Sequence, residues 1–253
     1  MSNNSLAIIF ISNGPGELST WVKPIAQELH KQIALRPKAN NSPISLNLVL
    51  VPCPNATGYE AVVAKDWFLF EKIIKANNFL KLLIHPKKFG SWPSQGLVIF
   101  LGGDQFWSVL LSARLKYLHM TYAEWIVRWP FWNNRILAMS EKIVEKLPKQ
   151  IQNRCSVIGD LTADLNETAK IDNPLPAGKW IALMPGSKSA KLKIGIPFFL
   201  DVADKISESM PDCKFLIPIA PTTNLDEINY FGSSKNPISK QYTSGIKSIN
   251  KAN

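Results

Sequence analysis

The chain has 253 residues, 46% of them hydrophobic, enough apolar material for one large or two modest domains, and global disorder is excluded. Its formal charge of +10, from 29 Lys and Arg against 19 Asp and Glu, suits polyanions (nucleic acid, anionic lipid, phosphorylated substrates) as well as it suits a plain solvated basic surface. No apolar run approaches the ~20 residues that cross a bilayer, and the three cysteines are too scattered, with no His spaced to help them, to hold a metal.

The opening stretch, MSNNSLAIIFISNGPGE, has no basic n-region and reads as a first strand at Leu6–Ser12, not a signal peptide. Its unbroken apolar character belongs to a strand buried on both faces of a parallel sheet. After the SNGPGELS turn, Trp21, Ile25, Leu29 and Ile33 recur at helical spacing, with Ser19 or Thr20 placed to cap the helix. Leu46–Cys53 is the second strand, giving the β-loop-α-β order of an open α/β sheet. Helical stretches are expected around Tyr59–Val63 and Phe68–Phe79. They lead to a strand at Gly96–Asp104 that ends in Gly-Gly, a helix from FWSVLLSARLK, and a strand with an aromatic loop in KYLHMTYAEW. RILAMSEKIVEKLPKQ supplies a strand and a helix, and CSVIGDLTADL a further strand end.

Residues 1–169 thus form a first domain. KIDNPLPAG, 170–178, joins two prolines and a glycine without apolar periodicity and reads as a linker. Residues 179–227 hold a strand, a Gly-Ser loop, an amphipathic helix and a second strand. From Ile228 to Asn253 there are four lysines and no acidic residue, so 228–253 reads as a polar basic tail. One βαβ unit is little for a second domain, which is expected to be incomplete.

Three segments carry chemistry. In Pro185–Lys191, Gly186 permits close backbone approach and the helix starts near Ser189. Free N–H groups there, aided by Ser187, Ser189, Lys188 and Lys191, would hold an anion, or the stretch is an ordinary strand-to-helix turn. The first loop, Asn13-Gly14-Pro15-Gly16-Glu17, occupies the equivalent position in the first half. Its glycines allow a ligand close, and Glu17 either points into a cleft or stabilises the helix start. Asp104 at the end of its strand is either a general base or an N-cap. His119 reads as packed more than catalytic. Trp107, Tyr122, Trp125, Trp129, Phe131 and Trp132, with Arg128 and Arg135, would stack on sugar and grip phosphate, build core, or touch a membrane.

The set SNGPGELS, GGD at 102–104, VIGDLTADL at 157–165, and LMPGSKSAKLKIGIPFFLDVADKI with PDCKFLIPIA up to Ala220 resembles the lipid-A-disaccharide synthase family and its relatives of undetermined substrate. The resemblance covers residues 6–220. It implies an α/β fold of two Rossmann-like, GT-B type parallel-sheet domains facing across a cleft, here C-terminally truncated in the second. It also implies an inverting glycosyltransferase that uses a UDP-sugar as substrate, of the acylated glucosamine type, on a lipid-linked sugar phosphate, without metal or other cofactor. Such a protein would be cytoplasmic and peripheral at the inner face of the cytoplasmic membrane, against its anionic surface. By position, Asp104 would be the base and Glu17 the acid of the first loop. Asn13, Gly14 and Gly16 would line the acceptor side, and Gly186, Ser187, Lys188 and Ser189 the donor phosphate. Lys188 stands where the family has Arg, which loses the bidentate fork, and Asp160 stands where it has His, pointing to a different sugar or lipid. Family members also continue well past this chain's length, so a second chain completing the donor half is an expected partner. The alternatives are a non-catalytic remnant and a nucleotide-sugar epimerase. Nucleic acid is not expected, since the lysines are scattered and no recognition module occurs.

Overall fold

The computed structural model describes residues 5–37, 42–53, 56–163, 165 and 175–238. The chain divides into two compact units, Met1–Ala56 with Glu60–Ala169, and Thr57–Tyr59 with Lys170–Asn253.

In the first unit seven strands form one parallel sheet: β1 (Leu6–Ser12), β2 (Ile44–Leu50), β3 (Lys72–Ile74), β4 (Gln95–Phe100), β5 (Leu118–Ala123), β6 (Arg135–Ala138) and β7 (Cys155–Val157). Their order is β3-β2-β1-β4-β5-β6-β7. The chain therefore winds outward from β1 in one direction and then, at β4, in the other, leaving a crevice beyond the C-terminal ends of these two neighbours. Ile8 sits level with Leu46 on one side and Leu97 on the other.

β1 is apolar up to its last residue, Ser12, because both of its faces are covered. Ile8 and Phe10 join Leu46, Leu48, Leu18 and Val22 in one layer, while Ile9 and Ile11 join Val49, Val98, Phe79 and Leu82 in the other. Each fully buried Ile or Phe of this kind contributes about 1.5–3 kcal/mol.

Two local expectations give way to the fold. The first helix begins earlier than Ser19, with Gly14 as its cap and Pro15 at its first position. It passes through a π-helical stretch at Leu18–Val22 into the helix Lys23–Ala34. Thr20 accordingly lies inside it, its hydroxyl donating back to the Gly16 carbonyl at 3.0 Å. Proline pre-set for φ at a first turn outcompetes a later hydroxyl cap. The helix expected around Phe68–Phe79 is instead the edge strand β3, after which the helix Phe79–Ile84 begins. Trp67, Leu69, Phe70 and Ile73 pack against the sheet, and Phe68 takes a positive φ of 55° and is 89% exposed. Burial of this crowded aromatic run against β2 decides its conformation where periodicity does not.

The second unit has a two-stranded parallel sheet, β8 (Lys179–Ala182) beside β9 (Cys213–Leu216), joined by the helix Ser189–Ser209. Of the expected linker, residues 170–174 lie outside the described residues, and 175–178 lead directly into β8. The stretch expected as a polar tail starts differently. Ile228 and Phe231, on the helix Leu225–Phe231, are buried against Leu192 and Ile196. Asn236 is wholly buried and donates to the carbonyls of Lys193 and Phe231, both at 3.0 Å. Pro197 sits inside the long helix and has no N–H for the Lys193 carbonyl four residues back, and Asn236 supplies the missing donor. A polar composition disguised one apolar stripe and one buried amide. Residues 239–253 lie outside the described residues.

Candidate functional site

The crevice at the ends of β1 and β4 is a cavity of about 290 Å³. Glu17, Asp104, Tyr122, Glu124, Trp125 and Arg128 line it, with Trp21 and Gln105 beside them. The sheet brings these together from β5 and from the segments after β1, β4 and β5, which are far apart in sequence.

Backbone geometry shapes its floor. Gly102 and Gly103 have φ of 152° and 96°, a region that only glycine enters without strain. A Cβ on Gly103 would collide with the buried Asn13 amide, and one on Gly102 would come within 3.0 Å of the Glu17 Cβ. The Glu17 carboxylate lies against Gly14, in the space a side chain there would occupy. Asn13, Gly14, Glu17, Gly102 and Gly103 are therefore one packed cluster, and Asp104 follows it on the cavity lining. Gly16 is outside it: it is exposed, and nothing lies within 4 Å of where its Cβ would stand.

Asp104 does two things at once. Its Oδ1 accepts the Phe106 N–H at 3.0 Å, capping the helix Gln105–Leu115, and its Oδ2 faces the Arg128 guanidinium at 3.8 Å. The cap uses one oxygen and leaves the other on the cavity side. At 48% side-chain exposure the carboxylate is open to a ligand's hydroxyl.

Tyr122 closes the back of the cavity, its ring edge-on to Trp21 at 5.2 Å. Its hydroxyl donates to the Gly159 carbonyl at 3.2 Å and accepts the Leu161 N–H at 3.3 Å. Burial first, and then the Asp160 and Glu124 carboxylates, push its pKa up, against the Leu161 hydrogen bond. Asp160 stands where the resemblance leads one to expect a His. Its carboxylate accepts the Thr162 N–H at 2.8 Å, and that bond holds its pKa below the usual range. His119 is packed: it is 2% exposed and its Nε2 lies 2.9 Å from Ser108 Oγ. Burial pushes its pKa down to about 4, and the Trp132 backbone offsets this in part. The aromatic patch splits. Trp107 packs edge-on against Phe79, whereas Trp125, Phe131 and Trp132 are 75%, 65% and 57% exposed.

The phosphate loop expected in the other half lies in the second unit. Gly186 has φ 102°, and Lys188 is the extended residue that caps the helix Ser189–Ser209 through its carbonyl, taking the N–H of Lys191 and Leu192 at 2.8 and 2.9 Å. Ser187 is half-buried. The Ser189 hydroxyl donates to the Glu227 carboxylate, an acid that the sequence pattern did not associate with this loop. No local motif marks Gln105, Glu124 or Glu227, which the fold brings to these two places. Among the described residues no group of three or more His, Cys, Asp or Glu could hold a metal ion, and no helix is long and apolar enough to cross a membrane.

A parallel sheet that reverses direction beside β1, followed by a second parallel βαβ unit, defines an α/β protein of the Rossmann-like GT-B type. Comparisons with known proteins agree. UDP-GlcNAc 2-epimerase from Neisseria meningitidis, solved bound to UDP-GlcNAc, matches with a TM-score of 0.54 at 13% identity, over 96% of this chain and 71% of that one. The UDP-GlcNAc 2-epimerase of Methanocaldococcus jannaschii matches with 0.53 at 13% identity, over 98% and 74%. At such identity the likeness establishes the fold alone. In sequence, a lipid-A-disaccharide synthase of Anaeromyxobacter dehalogenans (strain 2CP-C) is 41% identical over 49 residues, 19% of this chain and 13% of that protein. Lipid-A-disaccharide synthase 1 of Legionella pneumophila (strain Paris) is 32% identical over 66 residues, 26% of this chain and 16% of that protein. The matched stretches thus span less than a fifth of these curated relatives. No protein-family model matches the chain.

Proposed function

We propose that the protein belongs to a UDP-sugar glycosyltransferase system of the lipid-A-disaccharide synthase kind, acting on a lipid-linked sugar phosphate. The observation that carries this reading is the meeting of Glu17 and Asp104 in one cavity at the β1–β4 crevice, in a chain whose short sequence matches are to that synthase. In the first unit the acceptor hydroxyl gives its proton to Asp104 Oδ2 and its oxygen attacks the donor's anomeric carbon. The anomeric C–O bond to the diphosphate breaks, the configuration inverts, and UDP leaves with the electron pair. Arg128 lies beside the base and suits an anionic acceptor, and Trp125 offers a flat apolar face to a sugar ring. In the second unit Gly186, Ser187 and Lys188 would receive the UDP diphosphate. The exposed Phe131 and Trp132, with the net positive charge, favour a peripheral place at the inner face of the cytoplasmic membrane.

The test is UDP release from a UDP-sugar in the presence of an acylated glucosamine 1-phosphate in mixed micelles. Asp104→Asn keeps the helix cap, because Asn caps as well as Asp, and is expected to slow turnover by about 10²–10⁴-fold. Turnover indifferent to that change sinks Asp104 as the base. A second reading, a nucleotide-sugar 2-epimerase, draws on fold likeness over nearly the whole chain. Inverting C2 requires breaking the C2–H bond, so deuterium uptake from D2O into the UDP-sugar without acceptor would favour it.

A further inference from the structure

The segment 124–128 brings Trp125 and Arg128 to the cavity, yet packing holds neither side chain there: Trp125 is 75% exposed and the Arg128 side chain 61%. A residue from another element holds the segment instead. Gln105, the first residue of the helix that Asp104 caps, is 8% exposed. Its Nε2 donates to the Ile126 carbonyl at 2.7 Å and its Oε1 accepts the Arg128 N–H at 2.8 Å. Both ends of one amide are thus spent on backbone groups two residues apart, which fixes the segment's position and its direction together. Between the gripped residues Val127 is buried with Ala123, Ile136 and Ile143, so the strip is anchored from both sides. The clamp is itself braced. The Gln105 carbonyl accepts the Ser108 hydroxyl at 2.7 Å, and that hydroxyl meets His119 on β5.

We infer that Gln105 is a positioning residue of the candidate site: by clamping residues 126 and 128 it holds the Arg128 guanidinium beside Asp104 and Trp125 on the cavity rim. The substrate side of this inference rests on the reading of the cavity as an acceptor site; the clamp itself does not. Because Asp104 and Gln105 are consecutive, the carboxylate and the backbone from which Arg128 reaches it share one mount. A buried amide with both ends satisfied is costly to disturb, since losing it leaves an amide N–H and a carbonyl without partners. Few other side chains of this length can donate and accept at the same time.

The test uses the full chain and two variants. Gln105→Met keeps the length and loses both bonds, while Gln105→Glu keeps the acceptor for the Arg128 N–H and loses the donor to Ile126. Hydrogen exchange of the Arg128 amide, followed by NMR, is expected to quicken about tenfold or more in the Met variant and by less than that in the Glu variant. Binding of glucose 1-phosphate, titrated as the probe, is expected to weaken about tenfold in the Met variant, with the Glu variant between it and wild type. Arg128 exchange unchanged by either variant overturns the clamp. So does exchange that quickens equally throughout the sheet, which would mark a general stabiliser. Normal probe binding despite fast Arg128 exchange overturns the positioning role. If the wild-type chain binds no glucose 1-phosphate at millimolar concentration, the acceptor reading falls and the positioning role with it, while the exchange data still decide whether the clamp exists. Should the Met variant fail to fold, Gln105→Asn carries the test, because it stays neutral and polar while its shorter amide cannot span both backbone groups.

Discussion

Replacing Asn236 by Ala would expose how the second unit tolerates a proline in its main helix. The change removes two donated bonds of 3.0 Å and one accepted from Ile238 N–H at 3.2 Å, all around a side chain with no exposed surface. Counting about 1 kcal/mol for each of the three bonds, with about 1–2 kcal/mol more for the Lys193 carbonyl left bare, the loss is about 4–5 kcal/mol. Pro197→Ala restores a helical N–H four residues beyond Lys193, so in that background the carbonyl is no longer orphaned and the same change should cost about 1–2 kcal/mol less. Native-state hydrogen exchange of the helix Ser189–Ser209, read against urea, measures the opening free energy of the second unit alone. Equal costs in the two backgrounds, giving a coupling near zero, would refute the idea that Asn236 substitutes for the N–H that Pro197 lacks. The helix at stake carries the Gly186–Ser189 loop at its start, so the brace also bears on the loop proposed above for the diphosphate.

His119 predicts a pH dependence. Its pKa is about 4 in the folded protein against 6.5 ordinarily, so folding favours the neutral ring. That contribution is whole above pH 6.5 and is lost as the pH falls toward 4, by about 3 kcal/mol in total. Urea unfolding from pH 7 to 4 should show the decline, and His119→Gln should flatten it; an unchanged slope would rule His119 out as its source. In the second unit, Glu227→Gln removes a carboxylate that holds the Ser189 hydroxyl. UDP affinity by calorimetry is expected to rise about threefold, a modest gain because the group is solvent-screened, and unchanged or weaker binding would place the diphosphate elsewhere.

Much of the first unit was legible because its signals are local. The unbroken apolar run of β1, the Gly-Gly-Asp after β4 and the helical spacing of Trp21, Ile25 and Leu29 each follow from a few neighbouring residues. The apolar run reflects burial on two faces, and the glycines mark positive φ. Asp104 illustrates the boundary. Its sequence context allowed a cap or a base, and the structure gives Oδ1 to the cap and turns Oδ2 toward Arg128. β3 forms where the spacing predicts helix, because contact with β2, a long-range pairing, outweighs local propensity.

By itself, then, the sequence determined the layering of the first unit, the strand ends that carry the ligand-facing loops, and the presence of a second βαβ unit, because apolar periodicity and turn residues act over short stretches. Only the tertiary structure decided that Gln105 grips residues 126 and 128, that Glu227 reaches Ser189, and that Asn236 serves the carbonyl Pro197 leaves bare. In each case the partners stand about 20 to 40 residues apart, and a hydrogen bond between them leaves no trace in the spacing of either segment. The Gly186–Ser189 loop, whose glycine and serines alone suggest an anion site, therefore has an acid against it that only the fold reveals.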